Sequence, residues 1–242
     1  MANLDPRTGF APARSAAGTA VAYDEGLRSH MLSVYNYMAS GVLLTGLVAM
    51  GFAQSGLAAS VLGGGGIMPW VIMLAPLGLV MWLSFGINKL SESSAKAIYW
   101  GYAVLMGLSL STVFLQYTGA SIATTFFASA AAFAGLSLWG YTTKKDLTGL
   151  GTFFIMGLVG LLVASVVNIF LKSSGLDFAI SAIGVLLFAG LTAYDTQKIK
   201  SMYAYVAGTD MMGKTVIMGA LNLYLDFVNM FMFLLQFMGN RR

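Results

Sequence analysis

The sequence predicts an all-α integral membrane protein with seven transmembrane helices. Hydrophobic residues make up 58% of the 242-residue chain and charged residues only 9%, too few to cover an ordinary water-facing surface. The apolar residues are gathered into stretches of about 20 residues, the length that a helix needs to cross a hydrocarbon core of about 30 Å. The lipid bilayer is therefore the expected solvent for most of the protein surface.

Seven stretches meet this length requirement, and short polar or glycine-rich segments separate them. The predicted spans are 31–53, 67–88, 98–118, 121–142, 149–171, 178–197 and 215–237. Only the turn residues Thr118-Gly119-Ala120 divide the third span from the fourth, whereas a polar link over 198–214 precedes the last span. Residues 1–28 are polar and have no apolar period, which predicts a disordered N-terminal tail before one membrane domain over 29–242.

The basic residues predict the orientation of the chain. With the N-terminus in the cytoplasm, most of the 13 Lys and Arg residues are cytoplasmic, and only Lys172, Arg241 and Arg242 fall outside. This asymmetry follows the positive-inside rule and predicts an external C-terminus after seven spans. In an alternative with six spans, a re-entrant last segment returns Arg241 and Arg242 to the cytoplasm.

The composition also excludes several classes of function. The chain has no cysteine and a single histidine, His30, which excludes disulfides, thiolate chemistry and His-rich metal centres. The net charge of +4 comes from segments between apolar stretches and not from a basic cluster interleaved with aromatic residues, so no nucleic acid partner is expected. No nucleotide-binding fingerprint occurs, and we expect neither a resident cofactor nor an enzymatic activity.

Asp226 is the residue that points most directly to function. It lies near the middle of the last predicted span, where a charged side chain costs a few kcal/mol and must face protein or water. Asn222, Asn229 and Gln236 share one helical stripe with it. The stripe predicts a face turned towards an ion pathway or a hydrogen-bonded core. Structural hydrogen bonding is the commoner role for the amides, whereas function is the commoner role for the aspartate.

A second aspartate, Asp195, lies at the end of the sixth predicted span. Lys198 and Lys200 follow it, so an interfacial carboxylate paired to a lysine would also explain it. Ideal helix geometry places Asp195 a few ångströms deep and Asp226 about 10 Å deeper, which permits a carboxylate pair without requiring one. An intramembrane aspartyl protease would use such a pair, but the chain has no GxGD motif.

The segments around these two aspartates resemble the Bax inhibitor-1 family (transmembrane Bax inhibitor motif proteins), in a bacterial form. The resemblance is carried by FAGLTAYDTQKI at 188–199 and ALNLYLDFVNMFMFLLQFMG at 220–239. GYAVLMGLSLS at 101–111 and SLWGYTTKKDL at 137–147 support it, and it extends over residues 25–240. It implies a bacterial inner membrane protein in which six helices wrap around a central C-terminal helix.

The resemblance further implies a passive calcium leak controlled by pH, with calcium as the permeant ion. The residues that match the family's pH-sensing pair are Asp195 and Asp226, which would also be transient calcium ligands. Some bacterial relatives carry an arginine near the cytoplasmic end of the second span that latches onto this pair. Lys89 is the candidate for that role here, although lysine lacks the bidentate fork of arginine.

Two other classes of function stay open. Bacterial relatives are also linked to modulation of a membrane-bound AAA protease, so an interaction protein with a purely structural polar core is the main alternative. The tail over residues 1–28, which lies almost entirely outside the resemblance, would suit that role. Proton-coupled transport of a small solute is the third class, and it would make flux depend on a substrate gradient.

Overall fold

A computed structural model describes residues 16–242 of the protein, with side chains from residue 22 on. The described residues form eight α-helices. These are α1 (Ala16–Gln54), α2 (Leu57–Gly63), α3 (Met68–Gly86), α4 (Glu92–Gln116), α5 (Gly119–Thr142), α6 (Gly151–Leu171), α7 (Ser174–Val206) and α8 (Met212–Met238). All except α2 are long and apolar enough to cross a membrane, which confirms the prediction of seven spans in an all-α membrane protein.

Side-chain caps begin three of the long helices. The hydroxyl groups of Ser91, Thr118 and Ser173 each accept a hydrogen bond from the backbone N–H three residues later, at the starts of α4, α5 and α7. The cap at Thr118 explains the sharp division between α4 and α5, which the sequence marked only by a turn signal. Lys172 closes α6 with a positive φ of 49°, the left-handed conformation common at helix C-termini.

The N-terminal segment differs from the sequence-based prediction. Because α1 begins at Ala16, the prediction of a disordered tail was wrong for residues 16–28, and residues 1–15 lie outside the described part of the chain. The extension is held by packing. Leu27 is buried, and the ring of Tyr23 lies 5.2 Å from that of Tyr203 on α7, between centroids. The part of α1 over residues 22–28 therefore packs on the rest of the bundle.

The predicted polar link over 198–214 was also largely wrong, since α7 runs without interruption to Val206 and α8 begins at Met212. Ile199 and Tyr203 are buried and continue the apolar face of α7 beyond the predicted end of the span. This extension of α7 and the N-terminal part of α1 support each other through the ring of Tyr203, which contacts both Tyr23 and His30.

The C-terminal helix α8 lies at the centre of the bundle. It packs on α1, α4, α5 and α7, whereas α3 packs mainly on α4 and α6 mainly on α7. Its buried residues lie on all sides of the helix, as expected for a helix surrounded by others. The central position of the C-terminal helix agrees with the architecture that the family resemblance implies.

The C-terminal residues are fixed to the face of the bundle opposite to the start of α1. The carbonyl of Asn240 accepts a hydrogen bond from the Thr118 N–H at 3.2 Å, and the Arg242 N–H donates to the Gln116 carbonyl at 2.9 Å. The Arg241 guanidinium lies 4.0 Å from the carboxylate of Asp177 at the start of α7. Since α8 crosses the bundle as one continuous helix, the six-span alternative with a re-entrant last segment is wrong.

Candidate functional site

The candidate site depends on the register between α7 and α8, which form an antiparallel hairpin. At one level of the hairpin, Gly184 of α7 lies against the ring of Phe233, where an added Cβ would come within 2.6 Å of the ring. Nearer the connection between the helices, Ile199 packs on Gly219. Small residues at both levels let the two helices approach closely, as in other membrane helix pairs.

This register brings Asp195 and Asp226 side by side, with their carboxyl groups within hydrogen-bonding reach of each other. Asp226 is only 4% exposed, and its Oδ2 atom has no hydrogen-bond partner among the described residues. Asp195 is half-buried. The expectation that Asp226 lies deeper than Asp195 was wrong, because α7 continues for about 16 Å beyond Asp195 at 1.5 Å per residue.

The lysines next to Asp195 do not form a salt bridge with it. Lys198 is exposed, and its Nζ lies 6.0 Å from the centroid of the Tyr194 ring. Lys200 donates instead to the backbone carbonyl of Tyr141 at 2.7 Å. Among the described residues, neither ion pair within 4.0 Å involves Asp195. A simple interfacial salt bridge is therefore not the arrangement found.

The other residues of the predicted polar stripe are less buried within the protein than Asp226. Asn222 and Asn229 are half-buried, and the Asn229 amide donates to the Leu225 carbonyl of its own helix at 2.8 Å. Gln236 is exposed near the end of α8, and its Oε1 lies 3.4 Å from the hydroxyl oxygen of Ser181, which donates its proton to the Asp177 carbonyl at 2.8 Å. The contacts of Asn229 and Gln236 are therefore structural.

Lys89 does not reach the carboxyl pair. It is exposed in the turn that follows α3, and α3 packs mainly on α4 rather than on the α7–α8 hairpin. Neither ion pair found among the described residues involves Lys89, and its role as a latch stays a prediction.

The carboxyl pair is too small to be a resident calcium site. Among residues 22–242, no group of three or more His, Asp or Glu side chains comes together in a way that could hold a metal ion. Calcium takes roughly six to eight oxygen ligands, so two carboxyl groups supply only part of a coordination shell. This arrangement fits transient contact with a passing cation better than stable binding.

Comparison with known proteins identifies the family. The model of the family described as "Inhibitor of apoptosis-promoting Bax1" matches residues 27–242. The chain belongs to the Bax inhibitor-1 family. The resemblance inferred from the two aspartate segments is thereby confirmed, and it covers all seven spans.

Several bacterial members of the Bax inhibitor-1 family are similar along almost their whole length. An uncharacterized protein of Rickettsia prowazekii is 51% identical over 231 residues, covering 91% of this chain and 93% of that protein. An uncharacterized protein of Caulobacter vibrioides is 46% identical over 250 residues, covering 98% and 99% of the two chains. Inner membrane protein YbhL of Escherichia coli K12 is 45% identical over 219 residues, covering 90% and 94%.

In this family member, a hydroxyl network that sequence reasoning missed lies beside the carboxyl pair. The Tyr35 hydroxyl lies 2.6 Å from Ser137 Oγ, which lies 2.9 Å from Thr196 Oγ1. Thr196 follows Asp195 directly, so the network ties α1 and α5 to the segment of α7 that carries this aspartate. Sequence patterns alone do not reveal such a network, because Ser and Thr in a helix usually bond to their own backbone.

A second missed cluster fixes the opposite side of α8. Thr45 Oγ1 donates to the Ala103 carbonyl at 2.8 Å, so the Tyr224 hydroxyl, 2.7 Å from Thr45, is the donor in their hydrogen bond. The Tyr224 ring makes edge contacts with Tyr99 and Tyr102, with centroids 6.4 Å and 5.3 Å away. The Tyr102 hydroxyl is buried without a partner among the described residues. This cluster anchors α8 to α1 and α4.

Proposed function

We propose that this Bax inhibitor-1 family member is a pH-sensitive passive cation leak, with calcium as the permeant ion and the Asp195–Asp226 pair as its gate. The observation that carries the proposal is the meeting of two carboxyl groups between α7 and α8, near the middle of α8. Ionisable groups inside membrane bundles are costly and typically belong to ion or proton pathways. The family resemblance supports the same role for these two residues.

Gating would follow from the proton that the two carboxyl groups share. With one proton between them, an O–H···O⁻ bond joins α7 to α8, and we assign this state to the closed form. Loss of the proton leaves two anions, which repel each other by about 4 kcal/mol at 4 Å for an effective dielectric constant near 20. The repulsion separates the helices, so the leak increases as pH rises.

The open pair would present oxygen ligands to the passing ion. Calcium is a hard cation and prefers carboxylate oxygens. The Oδ2 atom of Asp226, buried and without a hydrogen-bond partner, is available as a ligand without breaking another contact. Because the pair supplies few ligands, the ion is released again, as a leak requires.

We place the protein in the bacterial inner membrane with its N-terminus in the cytoplasm. Its Escherichia coli relative is named an inner membrane protein, and the seven apolar helices of this chain suit the same location. The distribution of Lys and Arg supports the orientation.

Calcium flux into liposomes that contain the purified protein tests the proposal, measured from about pH 5 to pH 8, a range that a carboxyl group with a shifted pKa can reach. Flux through the parent protein should rise with pH. Asp195→Asn and Asp226→Asn should each flatten the profile, because an amide has no proton to release. Asp210→Asn is the matched control, since Asp210 is exposed in the connection between α7 and α8.

Each outcome distinguishes one part of the proposal. Opening on acidification would reverse the gating direction while keeping the pair as the sensor. Parental pH profiles in both Asn variants would show that the pair is not the sensor. An absence of calcium flux at every pH would rule out the calcium leak. Modulation of a membrane-bound AAA protease would then be the better hypothesis. Flux that requires a solute gradient would indicate a transporter.

A further inference from the structure

A lateral groove opens between α1 and α5. Its volume is about 680 Å³, and its walls are formed by one face of each of these two helices. Phe227 of α8 forms its floor, where it makes edge contacts with Phe126 and Phe133. The only polar side chains among its middle residues, Tyr35 and Ser137, are hydrogen-bonded to each other. The groove is therefore an apolar surface facing the bilayer.

The groove has one polar end and one apolar end. Arg28 lies at the end nearest the start of α1, and the lining along α1 ends at Leu43. From Arg28 to Leu43 a helix rises about 22 Å at 1.5 Å per residue. Half of a bilayer, headgroups included, is about 20–22 Å thick. The groove thus matches one leaflet in length and in the order of its polar and apolar parts.

We propose that this groove binds an anionic phospholipid, with one acyl chain along α1 and α5 and the phosphate at Arg28. The charges at the polar end favour an anionic headgroup. Arg28 is exposed and takes part in neither of the ion pairs found among the described residues. A second cation, Lys200, lies 4.7 Å from the ring centroid of Tyr141, which lines the same end of the groove.

The acidic groups near this end make no contact ion pair with Arg28 or Lys200. Asp24 and Glu25 are exposed on the turn of α1 before Arg28, and neither lies within 4.0 Å of a described Lys or Arg. Arg28 lines the groove itself, so a phosphate at this end would meet its guanidinium, and Lys200 contributes positive charge from its position at Tyr141. A cation in the lining at the polar end and an apolar floor are the two parts that a phospholipid requires.

A second groove begins where the first one ends and extends towards the face of the bundle that carries the C-terminus. It has a volume of about 660 Å³, shares Val42, Phe126 and Phe227 with the first, and reaches Arg242. The two grooves meet at these three shared residues near the middle of the membrane. An acyl chain anchored at Arg28 would therefore end beside Phe227, the neighbour of Asp226 on α8.

Native mass spectrometry of the full chain in detergent tests the site directly, and the result is independent of any ion flux. The protein is titrated with equal amounts of phosphatidylglycerol and phosphatidylethanolamine. The parent should retain one phosphatidylglycerol molecule with at least a several-fold preference. Arg28→Gln should lose most of that preference. Lys144→Gln should keep it, because Lys144 is exposed in the loop after α5 and lines neither groove.

A second pair of variants tests the apolar part of the groove. Ala134→Trp places an indole in the groove and should reduce retention of both lipids, whereas Ala131→Trp, on the same helix but outside the lining, should not. Equal retention of the two lipids by the parent, or unchanged retention in Arg28→Gln and Ala134→Trp, would overturn the proposal. A dimer that retains no lipid would assign the groove to a second copy of the chain instead.

Discussion

Gly140 of α5 lies directly against the backbone of Ala193 of α7. A Cβ added at position 140 would come within 2.8 Å of the Ala193 Cα, closer than two such atoms can approach without a shift of the helices. Ser137, one turn earlier on α5, is hydrogen-bonded to Thr196 on the same part of α7. The close approach of these two helices therefore positions the segment of α7 that carries Asp195.

Gly140→Ala should destabilise the protein, because the obstacle is backbone and cannot rotate away. Overpacking of this kind costs roughly 1–3 kcal/mol, and thermal unfolding in detergent should show a lower Tm. Gly135→Ala on the same helix is the control, since a Cβ there meets no atom within 4 Å. Its Tm should be unchanged or slightly higher, as alanine favours the helix. Equal losses of Tm in both variants would contradict the close approach as the cause.

Tyr224→Phe and Tyr102→Phe should have opposite effects, although the chemical change is the same. Tyr224 loses its hydrogen bond to Thr45, which should cost about 0.5–1.5 kcal/mol and lower Tm. Tyr102 has no partner for its buried hydroxyl, so its removal should leave Tm unchanged or raise it. A loss in Tyr102→Phe as large as that in Tyr224→Phe would mean that the Tyr102 hydroxyl has a partner in the membrane protein.

The sequence predicted the seven spans and their order correctly because apolar stretches of sufficient length have few alternatives in a bilayer. It misplaced helix ends outside the hydrocarbon region. The segments 16–28 and 198–206 carry no long unbroken apolar stretch, yet both are helical. Tyr23 and Tyr203 pack on each other there. Such tertiary contacts stabilise a helix that local composition does not predict.

The same error moved the two aspartates apart in the sequence-based prediction. Because the sixth span was predicted to end at residue 197, Asp195 was placed near the end of its helix and therefore near the membrane surface. The interior position of Asp226 was predicted correctly, because a charged side chain in an apolar span is too costly to expose to lipid. The register that pairs the residues is set by Gly184 against Phe233 and by Ile199 against Gly219, contacts between helices that periodicity alone cannot reveal.

The orientation in the membrane can be tested at both ends of α8. A reporter active only in the cytoplasm should give no signal after Arg242 and a strong signal when inserted after Gly208, in the connection between α7 and α8. The reason is the concentration of Lys and Arg on the side of the N-terminus. The reverse pattern would show that the protein has the opposite orientation in the membrane. A signal at both sites would contradict the crossing of the membrane by α8 as a single helix.

Asp226→Leu should separate stability from function at the candidate site. Leucine removes a buried Oδ2 atom that has no partner, and an unsatisfied buried polar group costs about 1–3 kcal/mol. Leucine is also preferred over aspartate by about 3 kcal/mol at the centre of a membrane helix. The variant should therefore insert normally and, at a pH where the parent pair has lost its shared proton, unfold at a higher Tm, while calcium flux is abolished because the ion meets no carboxylate on α8.

Asn229→Leu is the matched control for Asp226→Leu on the same helix. Asn229 is half-buried, and its amide already bonds to the Leu225 carbonyl, so the substitution should change Tm little and leave the pH profile of flux intact. A structural hydrogen bond at Asp226 would give a different result: Asp226→Leu would lower Tm at that same pH and conduct like the parent. A higher Tm together with lost flux would mean that Asp226 is retained at the expense of stability, as expected of a residue kept for function.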